Sequence, residues 1–242
     1  NIADSDNNNT GDGGGIFNSG IFTLNGCAFT DNGANAGGTV FTENGGAIRN
    51  TGSLIVGAAC IFTNNRVRLD GGAIHNSGTT CNIDNSTFTG NGTNSANTNT
   101  DTDNGGAIRN TGTLNVGTTT ACTFTNNRAN NNGGAIHNNG TTCNVGSAGT
   151  TTFSANVADS DNNNSGDGGG IFNGATCTIN GCTFNNDNRA VNGGAIRSTN
   201  SLTVGNTTAC TFTSNSARND GGGISNSIGN CTLNNCTFTS NN

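Results

Sequence analysis

Two acidic loops contain the residues best suited to hold a ligand. Carboxylate or amide oxygens occupy positions 1, 3, 5 and 9 of each loop. The first loop contributes Asp4, Asp6, Asn8 and Asp12, and the second contributes Asp159, Asp161, Asn163 and Asp167. Ca²⁺ takes about six to eight oxygen ligands, which short Asp and Asn side chains and backbone carbonyls can supply. The spacing predicts calcium as the one candidate cofactor, with a solvated, metal-free loop as the alternative.

Side chains that could carry out catalysis are scarce. Enzymes that cleave polysaccharides need clustered carboxylates, or a base beside Arg or Lys. Here Asp84 is the one carboxylate near a predicted strand end, and the chain has no Trp, Tyr or Lys. We expect His75 and His137 to lie on the surface, about 10 Å apart and too far from each other to share a metal. Three arginines are expected to be solvated or paired with aspartate: Arg49, Arg109 and Arg197. The sequence favours a protein that is not an enzyme.

One repeated unit must position all of these residues. It opens with Gly-Gly-(Ala/Gly)-Ile at residues 13, 45, 71, 105, 133, 168, 193 and 221, so the starts lie 25 to 35 residues apart. Each unit has three short runs in which apolar and polar residues alternate, as in β-strands, and turn-forming residues separate the runs. The pattern predicts an all-β fold, a right-handed single-stranded parallel β-helix of about eight turns with three short strands per turn. Residues 1–242 would form one domain.

The inward residues are predicted to form ladders along the helix axis. The isoleucine ladder contains Ile16, Ile48, Ile74, Ile108, Ile136, Ile171, Ile196 and Ile224. The phenylalanine ladder contains Phe29, Phe62, Phe88, Phe124, Phe153, Phe184, Phe212 and Phe238. Asn follows Phe by three residues in seven units, with Asp187 as the exception. Such asparagines can bond to one another and to the backbone at a corner. We interpret these positions as core and turn, without chemistry of their own.

Ten cysteines suggest an oxidising compartment. Three pairs are each 21 residues apart, from the third strand of one turn to the second strand of the next, and a fourth pair faces across one corner. The predicted disulfides are Cys60–Cys81, Cys122–Cys143, Cys210–Cys231 and Cys177–Cys182. The alternative is free thiols that face the interior, since Cys is readily buried as a small apolar side chain.

The paired GGAI and FxxN motifs resemble the repeats of the chlamydial polymorphic outer-membrane proteins and related bacterial surface β-helix proteins. The resemblance extends over nearly the whole chain. It implies a secreted or surface-displayed protein that is often adhesive, and it implies no particular activity. The acidic loops resemble the calcium loops of thrombospondin type-3 and dockerin modules, but they lack the Gly that follows position 5 there.

Composition narrows the classes of partner. The formal net charge of −6 leaves no basic stripe to neutralise phosphates, so nucleic acid is not expected as a partner. The longest apolar run, Leu54–Phe62, is too short to span a bilayer. Fifty Asn and 40 Gly make up over a third of the chain, a composition that would indicate disorder if the strand pattern were missing. We expect an extracellular or cell-surface structural protein.

The two ends of the sequence resemble the halves of one turn. Residues 1–12 return almost unchanged at 156–167, where they would form the loop that closes a turn. Residues 1–12 are therefore predicted to be the closing loop of an incomplete turn. Either subunits stack head to tail into a filament, or the chain is an excerpt of a longer array. Head-to-tail contacts that do not close give filaments, which is the reading we favour.

The predicted function is that of a filament, sheath or adhesin subunit, whose partners would be further copies and cell-surface or matrix polysaccharide. Ice binding is the alternative, because outward Thr-x-Thr pairs flank the phenylalanine ladder. These pairs are Thr87 and Thr89, Thr123 and Thr125, Thr211 and Thr213, and Thr237 and Thr239. Ala28, Ile61, Ser154 and Asn185 interrupt the array. Thr also suits any exposed strand. A polysaccharide-active enzyme is the least favoured alternative.

Overall fold

Short parallel strands wind into three sheets, so that each coil adds one strand to each sheet. The computed structural model describes residues 1, 11–33, 42–93, 104–147 and 149–242. The predicted all-β parallel solenoid with three strands per coil is confirmed, and the described residues contain no helix. The handedness, the exact number of turns and the assignment of the chain to one domain stay predictions. Each coil is named below by its first glycine.

The strand bounds follow the repeat. The first sheet contains Ile16–Asn18, Ile48–Asn50, Ile74–Asn76, Ile108–Asn110, Ile136–Asn138, Ile171–Asn173, Ile196–Ser198 and Ile224–Asn226. The second contains Ile21–Leu24, Ser53–Val56, Thr80–Ile83, Thr113–Val116, Thr142–Val145, Cys177–Ile179, Leu202–Val204 and Cys231–Leu233. The third contains Ala28–Thr30, Ile61–Thr63, Thr87–Thr89, Thr123–Thr125, Thr151–Ser154, Cys182–Asn185, Cys210–Thr213 and Cys236–Thr239. Two smaller sheets, at the closing segments, contain Thr42–Asn44, Arg66–Asp70 and Gly92–Thr93, and Arg189–Ala190 and Ser216–Ala217.

The glycine that opens each coil is required by the backbone. All eight opening glycines have φ between 65° and 71°, a region that side chains with a Cβ rarely adopt. In the Gly105 coil, a Cβ on Gly105 would lie 2.1 Å from the carbonyl oxygen of Ile108. The glycine therefore sets the sharp turn into the first sheet and recurs in every unit.

Identical residues meet because adjacent strands are parallel and in register. Ile108 pairs with Ile74 and Ile136, and Phe124 pairs with Phe88 and Phe153. The eight ladder phenylalanines stack with ring centroids 4.6 to 5.0 Å apart and nearly parallel planes. The core residues Ile48, Ile74, Ile108, Ile136, Phe62, Phe88, Phe124 and Phe212 are fully buried. This stack of apolar ladders is the hydrophobic core.

The asparagine after the third strand forms a continuous buried ladder at the corner. At Asn127, Nδ2 donates to the Phe88 carbonyl and to Asn156 Oδ1, while Oδ1 accepts from the backbone N–H and Nδ2 of Asn91. All four hydrogen-bonding positions of the amide are thus filled. The expected break at Asp187 does not occur, because Asn188 takes the ladder position.

A second asparagine ladder lies inside the first sheet, two residues after each ladder isoleucine. Its side chains bond from coil to coil at 2.6 to 3.0 Å and end on the Ser198 hydroxyl: Asn18, Asn50, Asn76, Asn110, Asn138 and Asn173. These asparagines are buried, so the sheet carries a polar interior column beside the isoleucines. Buried amides of this kind are stable only when they are fully bonded, which fixes the register of every coil.

Candidate interaction surfaces

The outward face of the third sheet carries two columns of hydroxyl groups. In the first column six threonines follow one another without interruption: Thr87, Thr123, Thr152, Thr183, Thr211 and Thr237. The second column also contains six threonines, but Ser154 and Asn185 separate the first four from the last two. These threonines are Thr30, Thr63, Thr89, Thr125, Thr213 and Thr239. Neighbouring side chains are about 4.8 Å apart along the axis and about 6.6 Å apart across it. The face is therefore a regular, partly exposed hydroxyl lattice.

A charged contact recurs where the chain enters the first sheet. Arg49, Arg109 and Arg197 each bring Nε within 3.3 to 3.4 Å of an aspartate Oδ2 on the preceding coil. The aspartates are Asp12, Asp70 and Asp167. An asparagine from the same following coil donates Nδ2 to the other oxygen of each carboxylate, at 2.8 to 3.1 Å. The arginines are thus paired with aspartate, which was one of the two expectations.

The histidines are buried, contrary to the prediction that they lie on the surface. His75 and His137 are 9% and 4% exposed, and both belong to the outward column of the first sheet. His75 lies between Arg49 and Arg109, and His137 lies between Arg109 and Phe172, whose ring it meets edge-on at 4.7 Å. Burial lowers the pKa of His75 to about 3, and the pKa of His137 also falls well below its usual value. The two rings are buried because arginine and phenylalanine side chains lie directly above and below them in register, which the prediction of surface histidines did not take into account.

An arginine side chain contacts the oxygen atoms of the second acidic loop. Arg218 places a guanidinium nitrogen 2.6 Å from Asp159 Oδ2, and it donates to the side-chain oxygens of Asn162 and Asn164, also at 2.6 Å. Asp159 is buried, and burial raises the pKa of its carboxyl group while Arg218 opposes that effect. Asp161 Oδ2 accepts a hydrogen bond from Asn163 Nδ2.

The remaining members of the predicted calcium sets lie apart from this arrangement. Asp167 is paired with Arg197, and Asp12 is paired with Arg49. Asp4, Asp6 and Asn8 fall outside the described residues. Within the described ranges, no group of three or more His, Cys, Asp or Glu side chains could hold a metal ion.

None of the four predicted disulfides forms, and all ten cysteines are free thiols. The predicted pairs were Cys60–Cys81, Cys122–Cys143, Cys210–Cys231 and Cys177–Cys182. In each pair one cysteine lies in or at the start of the third sheet and the other lies in the second sheet. A disulfide needs Cβ atoms about 3.5 to 4.5 Å apart, whereas the two sheets present their side chains to the core from different sides. The in-register neighbours of Cys81 are instead Leu54 and Leu114.

The cysteines fall into two columns with different roles. At the corner before the third sheet, thiols bond backbone carbonyls, as Cys122 Sγ does to Ile83 at 3.5 Å, and Ser86 fills the same position with its hydroxyl bonded to Asp84. In the second sheet, Cys143 is aligned with Leu114 and occupies an apolar position. Hydroxyl groups suit the first column and apolar groups suit the second.

Substitution of cysteine by serine should therefore affect stability differently in the two columns. We expect Cys122→Ser to change the free energy of unfolding by less than about 1 kcal/mol, because the hydroxyl keeps the carbonyl bond. Cys143→Ser should cost about 1 to 3 kcal/mol, because it buries a hydroxyl in an apolar column. Urea unfolding of the two variants measures the difference, and equal costs would contradict the division into two roles.

The described part of the chain has no helix with the length and apolarity that a membrane crossing requires. In this part of the chain the interior side chains form ladders along the solenoid axis, and the outward side chains form columns that repeat from coil to coil. The structure thus defines a laddered parallel β-solenoid whose exposed features are extended strand faces.

Three segments of the chain are similar to a repeat found in a known family. The Chlamydia polymorphic membrane protein repeat matches residues 59–77, 121–139 and 209–227, which confirms the resemblance read from the GGAI and FxxN motifs. Each match begins just before a third-sheet strand and ends one residue after the first-sheet strand of the next coil, so it includes the corner asparagine and the glycine turn. No curated protein and no solved structure matches the chain.

Proposed function

We propose that this protein is a non-enzymatic structural protein of the cell surface, adhesin-like in the way it presents extended strand faces to its partners. The observation that carries the proposal is the repetition of every ladder from coil to coil, which gives a stiff rod with regular faces. The family of the repeat, described as one of membrane proteins, supports a location at the cell surface. Antibody labelling of intact cells tests this location, and labelling only after the cells are opened would contradict it.

Cell-surface or matrix polysaccharide is the proposed external partner. The outward strand positions are rich in Thr and Asn, whose groups can donate and accept hydrogen bonds with sugar hydroxyls. A glycan array probed with residues 1–242 should give a small set of related polysaccharides. The absence of any bound glycan would count against this partner.

Head-to-tail stacking of copies is the proposed mode of assembly. Adjacent coils of the chain pair in parallel and in register in all three main sheets, with like residues opposite each other. The same strand-to-strand contact can join coils of two copies. Negative-stain microscopy of residues 1–242 should show filaments, and a monodisperse monomer at micromolar concentration would contradict this assembly.

Ice binding is a second candidate because the hydroxyl lattice of the third sheet is longer than the four pairs found in the sequence. Thr152 and Thr183 extend the first column to six residues, and the Thr211 hydroxyl donates to that of Thr183 at 3.1 Å. Thermal hysteresis should be lost in Thr152→Leu. It should persist in Thr113→Leu, which alters an outward position of the second sheet instead. No hysteresis in the unmodified protein would end this candidacy.

Calcium binding at the second acidic loop, with Asp159, Asp161, Asn163 and Asp167 as the predicted ligands, remains a proposal. Arg218 occupies Asp159 and the neighbouring oxygens of Asn162 and Asn164, so an incoming ion would compete with its guanidinium group. Arg218→Met removes the internal cation and keeps a long side chain. Calorimetry should show tighter Ca²⁺ binding in this variant than in the unmodified protein. Adding Asp159→Asn should abolish it, and no heat in either protein would dismiss calcium.

A further inference from the structure

Three arginines form a line along the corner between the third sheet and the closing segments. Arg66, Arg128 and Arg189 each follow directly after an asparagine of the corner ladder and share one column, which is called the arginine line below. Gly92 and Val157 occupy this column in the coils between them, so successive arginines lie two coils, or about 10 Å, apart. The alternation keeps the cations away from directly paired positions, where like charges destabilise neighbouring strands.

Two members of the arginine line have no partner in the described part of the chain. Arg128 and Arg189 are exposed, and neither guanidinium group forms an ion pair or a hydrogen bond with a described residue. This holds even for Asp187, an exposed residue two positions before Arg189. Asn127 and Ala129, on either side of Arg128, are fully buried, so the backbone is fixed and the arginine projects outward. Both guanidinium groups are therefore open to an anion from solution.

We propose that the arginine line binds a linear acidic polysaccharide with one carboxylate group on every second sugar. A guanidinium group binds a carboxylate through two parallel N–H···O bonds. Two sugar units of an extended chain have about the length that separates successive arginines, so each carboxylate meets one cation. Thr63 and Thr125, each three residues before an arginine of the line, offer hydroxyl groups to the sugars. The inference rests on the proposed polysaccharide partner and adds its chemical class and its binding site.

The net charge of −6 does not oppose this contact at physiological salt. At an ionic strength of about 0.15 M, exposed charges are screened beyond about 8 Å, so a ligand on the line responds mainly to the charges next to it. Nucleic acid is a poorer match, because double-stranded DNA carries one charge per about 1.7 Å of its axis, far more than the line can neutralise.

Binding of two polysaccharides to the complete 242-residue chain tests the inference. Hyaluronan and unsulfated chondroitin both carry one carboxylate on every second sugar, and the same polymers with their carboxyl groups reduced to alcohols are the matched neutral probes. Calorimetry at low salt should show at least one acidic polymer binding at least about tenfold more tightly than its reduced form. The double variant Arg128→Gln, Arg189→Gln should reduce this preference to within about twofold, with its circular dichroism unchanged.

A charge-matched variant separates the spacing of the arginines from the total charge. Arg189→Gln, Ser216→Arg keeps the net charge, and it moves one cation along the column from two coils to three coils away from Arg128. This variant should bind the acidic polymer as weakly as Arg189→Gln alone. Affinity equal to that of the unmodified chain would overturn the match to alternate sugars.

The remaining outcomes separate this inference from the proposed polysaccharide partner. Equal binding of acidic and reduced polymers, no binding of either acidic polymer, or a preference that survives the double variant would overturn the arginine line as the site. A glycan array on which the chain binds only neutral polysaccharides would also overturn it, while supporting a polysaccharide partner. An array without any bound glycan would contradict both proposals.

Discussion

Asn127→Ala is expected to destabilise the solenoid by about 3 to 5 kcal/mol, although the change is small in volume. The variant leaves the backbone N–H of Asn91 and one of the two N–H groups of its side-chain amide without an acceptor. It also removes the Nδ2 donor from the Phe88 carbonyl and from Asn156 Oδ1, which keeps the backbone N–H of residue 127. All of these groups lie at a buried corner, and each buried unpaired group costs about 1 to 3 kcal/mol. The measurement is the shift of the urea unfolding midpoint, followed by circular dichroism.

Asn144→Ala is the matched control for this prediction. Asn144 also donates to an asparagine of the neighbouring coil, Asn115, at 2.8 Å, but it lies on the outer face of the second sheet. Water can replace the lost partner there, so the cost should stay below about 1 kcal/mol. Similar costs for the two variants would show that the corner ladder is no more important than a surface hydrogen bond.

Much of the fold could be predicted because a parallel in-register solenoid stacks equivalent positions of the repeat. In every unit the first glycine lies at the turn into the first sheet, and the phenylalanine lies in the core beneath the third sheet. Their spacing was enough to indicate three strands per coil. No long-range information was needed, since each coil contacts mainly its neighbours.

Features that depend on how side chains cover one another could not be predicted. The inner asparagine column, which includes Asn110, is polar in a position where strand patterning favours an apolar residue. At the corner near Asp187, one additional residue is accommodated because Asn186 and Asp187 both adopt positive φ, which lets Asn188 keep the ladder. A fixed Phe-x-x-Asn spacing cannot anticipate such a bulge.

The cysteines show a limit of spacing arguments. Equal separations of 21 residues indicated pairs, but those separations only reflect the distance between two columns of the repeat. The presence of Ser86 in one column and Leu114 in the other is the signal that distinguishes the two roles. A comparison of the residues that occupy the same position in successive coils would have favoured free thiols over pairs of cysteines along the chain.

Acid should weaken the solenoid well above the pH at which unpaired carboxylates titrate. The unfolded chain protonates His75 near its ordinary pKa of 6.5, whereas burial holds the folded-state pKa at about 3. Between these values the unfolded state binds more protons, so stability falls as the pH falls. From pH 6.5 to 4.5 the loss from His75 is about 2 to 3 kcal/mol, and His137 adds a loss in the same direction.

The charges around the two rings oppose protonation. Arg49 and Arg109 flank His75 on the neighbouring strands, and Arg109 also neighbours His137. The partners of these arginines, Asp12 and Asp70, are engaged by Nε at 3.3 and 3.4 Å. A protonated His75 would therefore be a third cation beside Arg49 and Arg109, whose aspartate partners are already engaged.

Urea unfolding at pH 7.5 and pH 4.5 measures the effect, with the double variant His75→Phe, His137→Phe as the comparison. Phenylalanine already occupies the equivalent position at Phe172, so the column accepts its shape. The double variant should lose most of the pH dependence between these two values while remaining folded at pH 7.5. If both proteins lose equal stability at pH 4.5, the acid sensitivity arises elsewhere, and the buried neutral histidines are not its cause.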